Sequence, residues 1–564
     1  MKEQYQLHPY WKTENVKDFI EVIGEKYKGM PAYRYRLKPH APEATVRNYD
    51  QLRDDVRALG SEFIARGYAG KHITLVAKMS YNWILVYYAT LAIGSVLTPL
   101  DSDWTEADLA DTAKRADTDV VICEAKGVAK GEAIAAACEC DAPLFLDTDA
   151  ENGIDALLEA GRAKFAADPK PYYDAPVDAD KMSLLVFTSG TTGKGKGVML
   201  CQRNFMTCLE AVVPYINFSV RTMNVLPAHH TYGSSVTIFG QNMIGSDIYI
   251  SSGQKYLMKE IAEVRPGHLV LVPLYLETFY RKITAKIKEQ GKEKLVRRMM
   301  KISNFLRKIG IDLRRKFFAS ILDSFGGELN MLISGGAPIN QDIINFFDGL
   351  GIDVLNGYGI TECAPIIAVN YSKHVVYGSV GDILDIDTVK IDEPNEDGEG
   401  EILVKGSNVM LGYYKDEAAT ADAITDDGYF KTGDYGKIGK DGVLYITGRK
   451  KNLIILSNGK NVYPEEIESE FVAIPGVIDV VVYEGKSRRG STYDAIVAEI
   501  YPDKELLAKN GIEDSKAYFQ KFVDDYNKTA VPYKKIGLLK VREEEFPKNT
   551  LRKIMRFKMD MTID

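Results

Sequence analysis

The chain has 564 residues, 45% hydrophobic, 27% charged and 10% aromatic, enough apolar material for two or more domains and too much for a disordered chain. A formal net charge of −8 argues against general nucleic-acid binding. No stretch reaches the ~18–20 continuous apolar residues that a bilayer crossing needs, and the opening MKEQYQLHPYWKTENVKDF lacks the apolar core and small-residue cleavage pattern of a secretory signal.

In chain order, residues 49–66 carry helical apolar spacing and are followed by the strand-like ITLVA at 73–77. A second helical stretch, 81–94, leads to VLTPLD. The best bilayer candidate, 83–97, holds Tyr and Gly and stops at Pro99, so it is expected as a buried helix. Helix 105–116, strand DVVIC at 119–123 and an Ala-rich helix near Lys130 continue the alternation, which predicts an α/β fold with a mostly parallel sheet. Cys138 and Cys140 form a C-x-C with no second Cys/His pair at metal-ligand spacing. The six cysteines are therefore expected as reduced thiols in a cytoplasmic protein.

AADPKPYYDAPVDAD, 166–180, is acidic and Pro-rich and is expected to connect rather than pack. The α/β texture resumes at Met182 and runs through LVLVP (269–273), NMLISGG (330–336) and DVLNGYG (353–359). Between them, residues 281–316 hold fourteen Lys/Arg against three Asp/Glu, with apolar residues at Ile283, Ile287, Met299, Ile302, Phe305 and Ile309. This basic amphipathic segment is either a solvated helical face or a contact with a membrane surface or anionic ligand. From about 378 to 446, short strands punctuated by Gly and Asp predict an antiparallel β subdomain. A boundary is placed after Arg449, giving a domain 1–449 and a small α+β C-terminal domain 450–564.

The stretch LLVFTSGTTGKGKGVMLCQRNF, 184–205, reads as a phosphate-handling loop after a buried strand. A P-loop needs Ser or Thr after its Gly-Lys to hold Mg²⁺, and Gly197 stands there instead. A dinucleotide fingerprint is met only in fragments. What survives is a set of backbone N–H groups, clustered hydroxyls and the charge of Lys194 or Lys196.

TSGTTGKGKGV resembles the TSGTTGxPKGV signature of the adenylate-forming superfamily: acyl-CoA synthetases, peptide-synthetase adenylation domains and luciferases. LPAHHTYG (226–233), SGGAPI (334–339), NGYGITE (356–362), YFKTGD (429–434), GRKKNLI (448–454) and PKNTLRKI (547–554) resemble the superfamily's further motifs, in its order. Two departures stand out: Gly195 replaces the usual Pro, and Arg552 replaces the usual Gly before the final lysine.

The resemblance implies a large N-terminal domain of mostly parallel sheets flanked by helices, an antiparallel β subdomain and a mobile C-terminal lid. It implies ATP, Mg²⁺ and coenzyme A as cofactor and substrates. Thr188, Ser189, Gly190, Thr191, Thr192, Gly193 and Lys196 would wrap the β- and γ-phosphates, with Thr191 near the metal. Thr361 would bond the α-phosphate and Glu362 would ligate Mg²⁺. Asn356, Gly357, Tyr358 and Gly359, beside Gly335, Gly336 and Ala337, would hold adenine, with Tyr358 stacking. Asp434 would accept from the ribose hydroxyls, and Arg449 would contact ribose or phosphate. Lys553 would bridge carboxylate and α-phosphate. Lys451 takes the hinge position and Gly459 a place on the pantetheine channel. His230, Tyr232 and Gly233 would line the acyl side.

The basic segment and its continuation RRKFFASILDSFGGELNMLISGGAPI resemble long-chain acyl-CoA synthetases. Gly233, Ser234 and Ser235 are small enough to leave room for an extended chain. The expectation is a ligase activating a medium- or long-chain fatty acid and passing it to coenzyme A. The alternatives are an aryl acid, a free-standing acyl carrier protein as acceptor, or a silent acyl-nucleotide binding protein. No carrier domain is expected after Lys553. A homodimer and a peripheral membrane contact through 281–316 are carried as further expectations.

Overall fold

The alternation read from the sequence builds two large sheets. A computed structural model describes residues 3–10, 12–147, 152–188, 195–456, 461–485, 495–548 and 554–563. The first sheet has seven strands, in the order Gly412–Tyr413, Gly197–Cys201, Met182–Phe187, Val96–Leu100, His72–Val76, Val120–Cys123 and Leu144–Phe145. Its pairings are parallel from Met182–Phe187 onward and antiparallel at the other end. The second sheet has nine strands. Its centre runs parallel through Asp353–Gly359, Met331–Ser334, His268–Leu271, Arg221–Asn224, Asp247–Ile250 and Pro31–Tyr35. Antiparallel strands finish both edges.

The helix that most resembled a membrane span, Tyr81–Ala92, lies inside the protein. Trp83, Ile84, Leu85, Val86, Tyr87 and Tyr88 are all fully buried. Ser80 starts the helix by accepting the Trp83 N–H, as an N-cap serine does. No described helix is long and apolar enough to cross a membrane.

The Pro-rich segment 166–180 is more ordered than its composition suggests. Helix Ile154–Ala167 runs into it, and Lys170–Asp174 forms another short helix with proline in its first turn, where the missing N–H costs nothing. The reason is Tyr172, fully buried and seated on Gly60, where an added Cβ would come within 2.8 Å of its ring.

The β subdomain is a four-stranded antiparallel sheet, Asp387–Asp392, Gly400–Gly406, Phe430–Ile438 and Leu444–Arg449. One strand from this region, Gly412–Tyr413, leaves it to join the seven-stranded sheet. After Arg449 comes a turn, Lys450–Asn452, and then a separate apolar core that gathers residues from Ile454 to Leu539. Its sheet has three strands, Val477–Gly485, Ala495–Pro502 and Leu538–Val541.

Candidate active site

The Gly/Ser/Thr loop closes a β-hairpin. Met182–Phe187 and Gly197–Cys201 pair antiparallel, with Phe187 opposite Gly197, and Thr188 N–H donates to the Lys196 carbonyl at 3.0 Å. A P-loop instead leads from a strand into a helix N-terminus, so the topology rejects that reading independently of Gly197. Arg115, at the end of helix Glu106–Arg115, donates to the Gly195 carbonyl at 2.5 Å, its guanidinium 5.1 Å above the Phe187 ring. A Cβ on Gly195 would fall 2.1 Å from the Thr188 carbonyl oxygen, so this closure requires the glycine that stands where the superfamily usually has proline.

Strand Gly197–Cys201 is laced on its outer side to residues 411–414. Leu411 N–H donates to Met199 O at 2.9 Å and Tyr414 N–H to Gly197 O at 2.8 Å. This carries Tyr413 to the root of the loop. The Lys196 ammonium lies 4.5 Å from the Tyr413 ring centroid, and the Tyr413 hydroxyl donates to Glu362 Oε1 at 3.1 Å. Met410 N–H also donates to the Glu362 carbonyl, at 2.8 Å, fixing the turn that presents the carboxylate.

A second group meets the first. The Tyr358 hydroxyl donates to Asp434 Oδ2 at 2.7 Å, and Arg449 pairs with Asp434 Oδ1 at 2.9 Å. Asp434 is 3% exposed, so its charge depends on that guanidinium. The field of Asp434 in turn holds Arg449 above its ordinary pKa. Burial raises the Glu362 carboxyl above its usual range, while Tyr413 and Arg449 pull it back. Strand register explains the meeting, since Asp434 lies opposite Arg449 on neighbouring strands and Tyr358 comes from the end of a strand of the nine-stranded sheet.

Glu362 offers a carboxylate to a hard cation at the root of the loop. Glu362 is half-buried, and among the described residues its carboxylate receives one side-chain hydrogen bond, from Tyr413. Among the described residues no group of three or more His, Cys, Asp or Glu side chains converges. One carboxylate, with phosphate oxygens and water completing the shell, is how proteins commonly hold Mg²⁺. The residues therefore fit the metal expected from the motif.

The strand ends supply a platform. Gly335 N–H donates to the Leu271 carbonyl at 3.3 Å, and Gly336 adopts φ +85°, open to glycine. Gly359 is forced: a Cβ there would sit 1.7 Å from the Pro365 carbonyl oxygen. Asn356 receives Asn370 N–H on its carbonyl and donates from Nδ2 to Ser379 O at 3.3 Å. Gly357 lies between it and Tyr358, while Ala337 follows Gly336 on the exposed surface. Thr361 lies in a single turn, Thr361–Cys363, that follows this strand.

On the acyl side, Tyr232–Gly240 forms a π-helix, a geometry often found at functional sites. The Tyr232 hydroxyl donates to Leu271 O at 3.3 Å and borders Gly335. The His230 ring lies against that of His229, tilted by 53° with centroids 4.2 Å apart, and His229 Nε2 is 3.6 Å from Asp101. Burial lowers the His229 pKa. Gly233 is held small by its backbone: a Cβ there would meet the Pro227 carbonyl oxygen at 2.0 Å, so local packing by itself demands glycine. Ser234 spends its hydroxyl on the His230 carbonyl at 3.1 Å.

Structure and motif thus bring Lys196, Tyr358, Glu362, Asp434 and Arg449 into one constellation. Ser189, Gly190, Thr191, Thr192, Gly193, Lys194, Gly459 and Lys553 lie outside the described residues. Lys451 sits in the turn directly after Arg449, beside Lys450, which pairs with Glu401. Sequence reasoning missed Tyr413 and Arg115. Tyr413 had a weak signal, an aromatic pair in a Gly-rich stretch, but its partner Glu362 is fifty-one positions away.

Replacing Tyr413 by Phe removes the side-chain hydrogen bond that it donates to Glu362. The expected result is a roughly tenfold lower kcat/KM for adenylate formation, the value of about 1–1.5 kcal/mol for one hydrogen bond, with a higher Mg²⁺ requirement. A Mg²⁺ titration of AMP formation measures both.

The family model described as AMP-binding enzyme matches residues 21–414. The long-chain-fatty-acid–CoA ligase FadD15 of Mycobacterium bovis is 27% identical over 503 residues, covering 81% of each chain. The long-chain-fatty-acid–acyl-carrier-protein ligase AEE15 of Arabidopsis thaliana is 28% identical over 424 residues, covering 65% of this chain and 57% of that protein. Among solved structures, the anthranilate CoA ligase AuaEII with anthranoyl-AMP shares the fold at a TM-score of 0.77 and 16% identity, covering 98% and 97% of the two chains. With its motifs in order, its loop closed as a hairpin and its fold shared, the chain belongs to the AMP-binding enzyme family.

Proposed function

We propose that the protein is an ATP-dependent acyl-CoA ligase acting on a medium- or long-chain fatty acid. The observation that carries the reading is the constellation of Glu362, Tyr358, Asp434 and Arg449 beside the hairpin loop. It offers one metal-binding carboxylate, one aromatic ring anchored by its hydroxyl and one buried carboxylate–guanidinium pair. The names of the relatives support the acid class.

The acid's carboxylate oxygen attacks the α-phosphorus of ATP, and the bond to the bridging oxygen of the β-phosphate breaks, releasing pyrophosphate. Negative charge grows at the α-phosphate, so positive groups and oriented donors matter more than a proton-transfer residue. Thr188 and Lys196, with Ser189–Lys194, hold the departing phosphates. Thr361 bonds the α-phosphate and Lys553 neutralises it. Glu362 holds Mg²⁺, which when bound supplies positive charge to the phosphate oxygens. Asp434 accepts from the ribose hydroxyls, and the anchored Tyr358 presents its face to adenine beside Gly335, Gly336 and Ala337. In the second step the coenzyme A thiolate attacks the acyl carbon and AMP leaves. For this the unit 450–564 swings about Lys451, withdrawing Lys553 and bringing Gly459 to the thiol channel. A separate apolar core beginning at Ile454 supports such rigid-body motion. His230, Tyr232 and Gly233 separate the acyl pocket from that channel.

Acid- and ATP-dependent thioester formation, measured across fatty and aryl acids, tests the substrate. Medium- or long-chain acids should exceed benzoates in kcat/KM by at least about tenfold, the discrimination expected when a chain fills an apolar pocket. Benzoates outperforming fatty acids would overturn the assignment. The acyl-carrier-protein relative favours a second acceptor, so the same assay is run with holo-carrier protein in place of coenzyme A. Pyrophosphate exchange absent with every acid, alongside ATP binding, would mark a silent binding protein.

A further inference from the structure

Helix Glu293–Lys308 carries two apolar faces. One face is used: Val296, Met299 and Met300 pack against the core between the helices and the nine-stranded sheet, Ser303 is buried and Arg307 pairs with Asp348 at 2.7 Å. The other is a stripe at positions 295, 302, 305 and 309, a spacing that keeps side chains on one side of a helix. Leu295 is 52%, Ile302 44%, Phe305 65% and Ile309 61% exposed. An apolar row held open by a helix anchored on its opposite side calls for something to cover it.

The charges beside the stripe say what covers it. Lys294, Lys301 and Lys308 recur every seventh residue and form a parallel row, and Arg298 falls within the stripe itself. Among the described residues none of these four has an ion-pair partner. They lie in a segment with fourteen Lys/Arg and three Asp/Glu, inside a chain of net charge −8. An apolar row flanked by unpaired cations is the pattern of helices that lie in a bilayer surface, with the apolar side chains among the acyl chains and the ammonium groups at the phosphates. A second copy on the same stripe would bring one strongly basic segment against another.

We propose that helix Glu293–Lys308 docks the protein on an anionic lipid surface, with Leu295, Ile302, Phe305 and Ile309 inserted at the headgroup boundary and Lys294, Lys301 and Lys308 on lipid phosphates. This surface is separate from the nucleotide constellation and does not depend on which acid is activated.

The test is co-sedimentation of the full-length protein with vesicles of phosphatidylglycerol and phosphatidylcholine, against pure phosphatidylcholine, at low and high salt. Binding is expected on the mixed vesicles, weakening as salt rises, and little is expected on pure phosphatidylcholine. The triple variant K294A/K301A/K308A should lose about a hundredfold in affinity, near fivefold for each lysine. F305D/I309D should lose at least about tenfold on the same vesicles. Both variants should keep the wild-type melting temperature and AMP formation with a soluble acid, because neither touches the core face or the site. Equal binding to both vesicle types, insensitivity to salt, or wild-type binding by both variants would overturn the proposal. So would F305D/I309D dissolving a homodimer while vesicle binding persists, which would assign the stripe to self-association.

Discussion

Replacing Lys553 by alanine is expected to slow formation of acyl-adenylate from acid and ATP by about 10²–10³-fold, the range for losing one preorganised group at a developing negative charge. Thioester formation from supplied acyl-adenylate should be largely unchanged. The split follows from the two steps. Charge accumulates at the α-phosphate only while pyrophosphate departs, and under the proposed rotation about Lys451 the lysine would be present for that step alone. Pyrophosphate exchange reads the first step, and thioester yield from acyl-adenylate and coenzyme A reads the second. Equal loss in both would mean that Lys553 supports the fold or serves both conformations, and would sink the alternating model.

Glu362→Gln is the second large effect, and it should separate activity from stability. Adenylate formation should fall by about 10²–10³-fold or more, since a neutral amide holds Mg²⁺ poorly and loses charge where the phosphates converge. The ligand-free variant should nevertheless melt no lower than wild type at neutral pH. Burial raises the Glu362 carboxyl above its ordinary value in the folded protein. A group with a raised folded pKa contributes its stability below the unfolded pKa, and that contribution is lost as pH rises through the folded value. The variant's advantage in melting temperature should therefore be absent in acid and grow toward neutral pH. A variant that melts lower than wild type at neutral pH would contradict this account of the site.

Much of this was legible in the sequence because the motifs carry their own geometry. The apolar run before Thr188 is legible as a strand, and Gly197 tells against a P-loop on composition alone. The same holds for Tyr358, Glu362, Asp434 and Arg449, each embedded in a short string that resembles the superfamily. What could not be read was pairing across distance. Gly197–Cys201 is bordered by residues 411–414, and nothing local in either segment announces the other. Tyr413, which links Lys196 to Glu362, was invisible for that reason. Close backbone approaches are equally hidden: Gly233 is a point where backbone meets backbone, which its motif does not announce. Tyr172 shows an error of composition, a Pro-rich stretch that reads as linker but that one buried ring pulls into a helix.

The lacing of Gly412–Tyr413 onto Gly197–Cys201 also bears on how the chain is made. Until residue 414 has been synthesised, the seven-stranded sheet ends in a bare strand whose N–H and C=O groups invite another chain. At bacterial or eukaryotic elongation rates that exposure lasts about 10–40 s for each nascent chain. Fragments that stop short of Leu411 should therefore aggregate, and a nascent chain is most in need of a chaperone while strand Gly197–Cys201 is already paired on one side but its other neighbour is still on the ribosome.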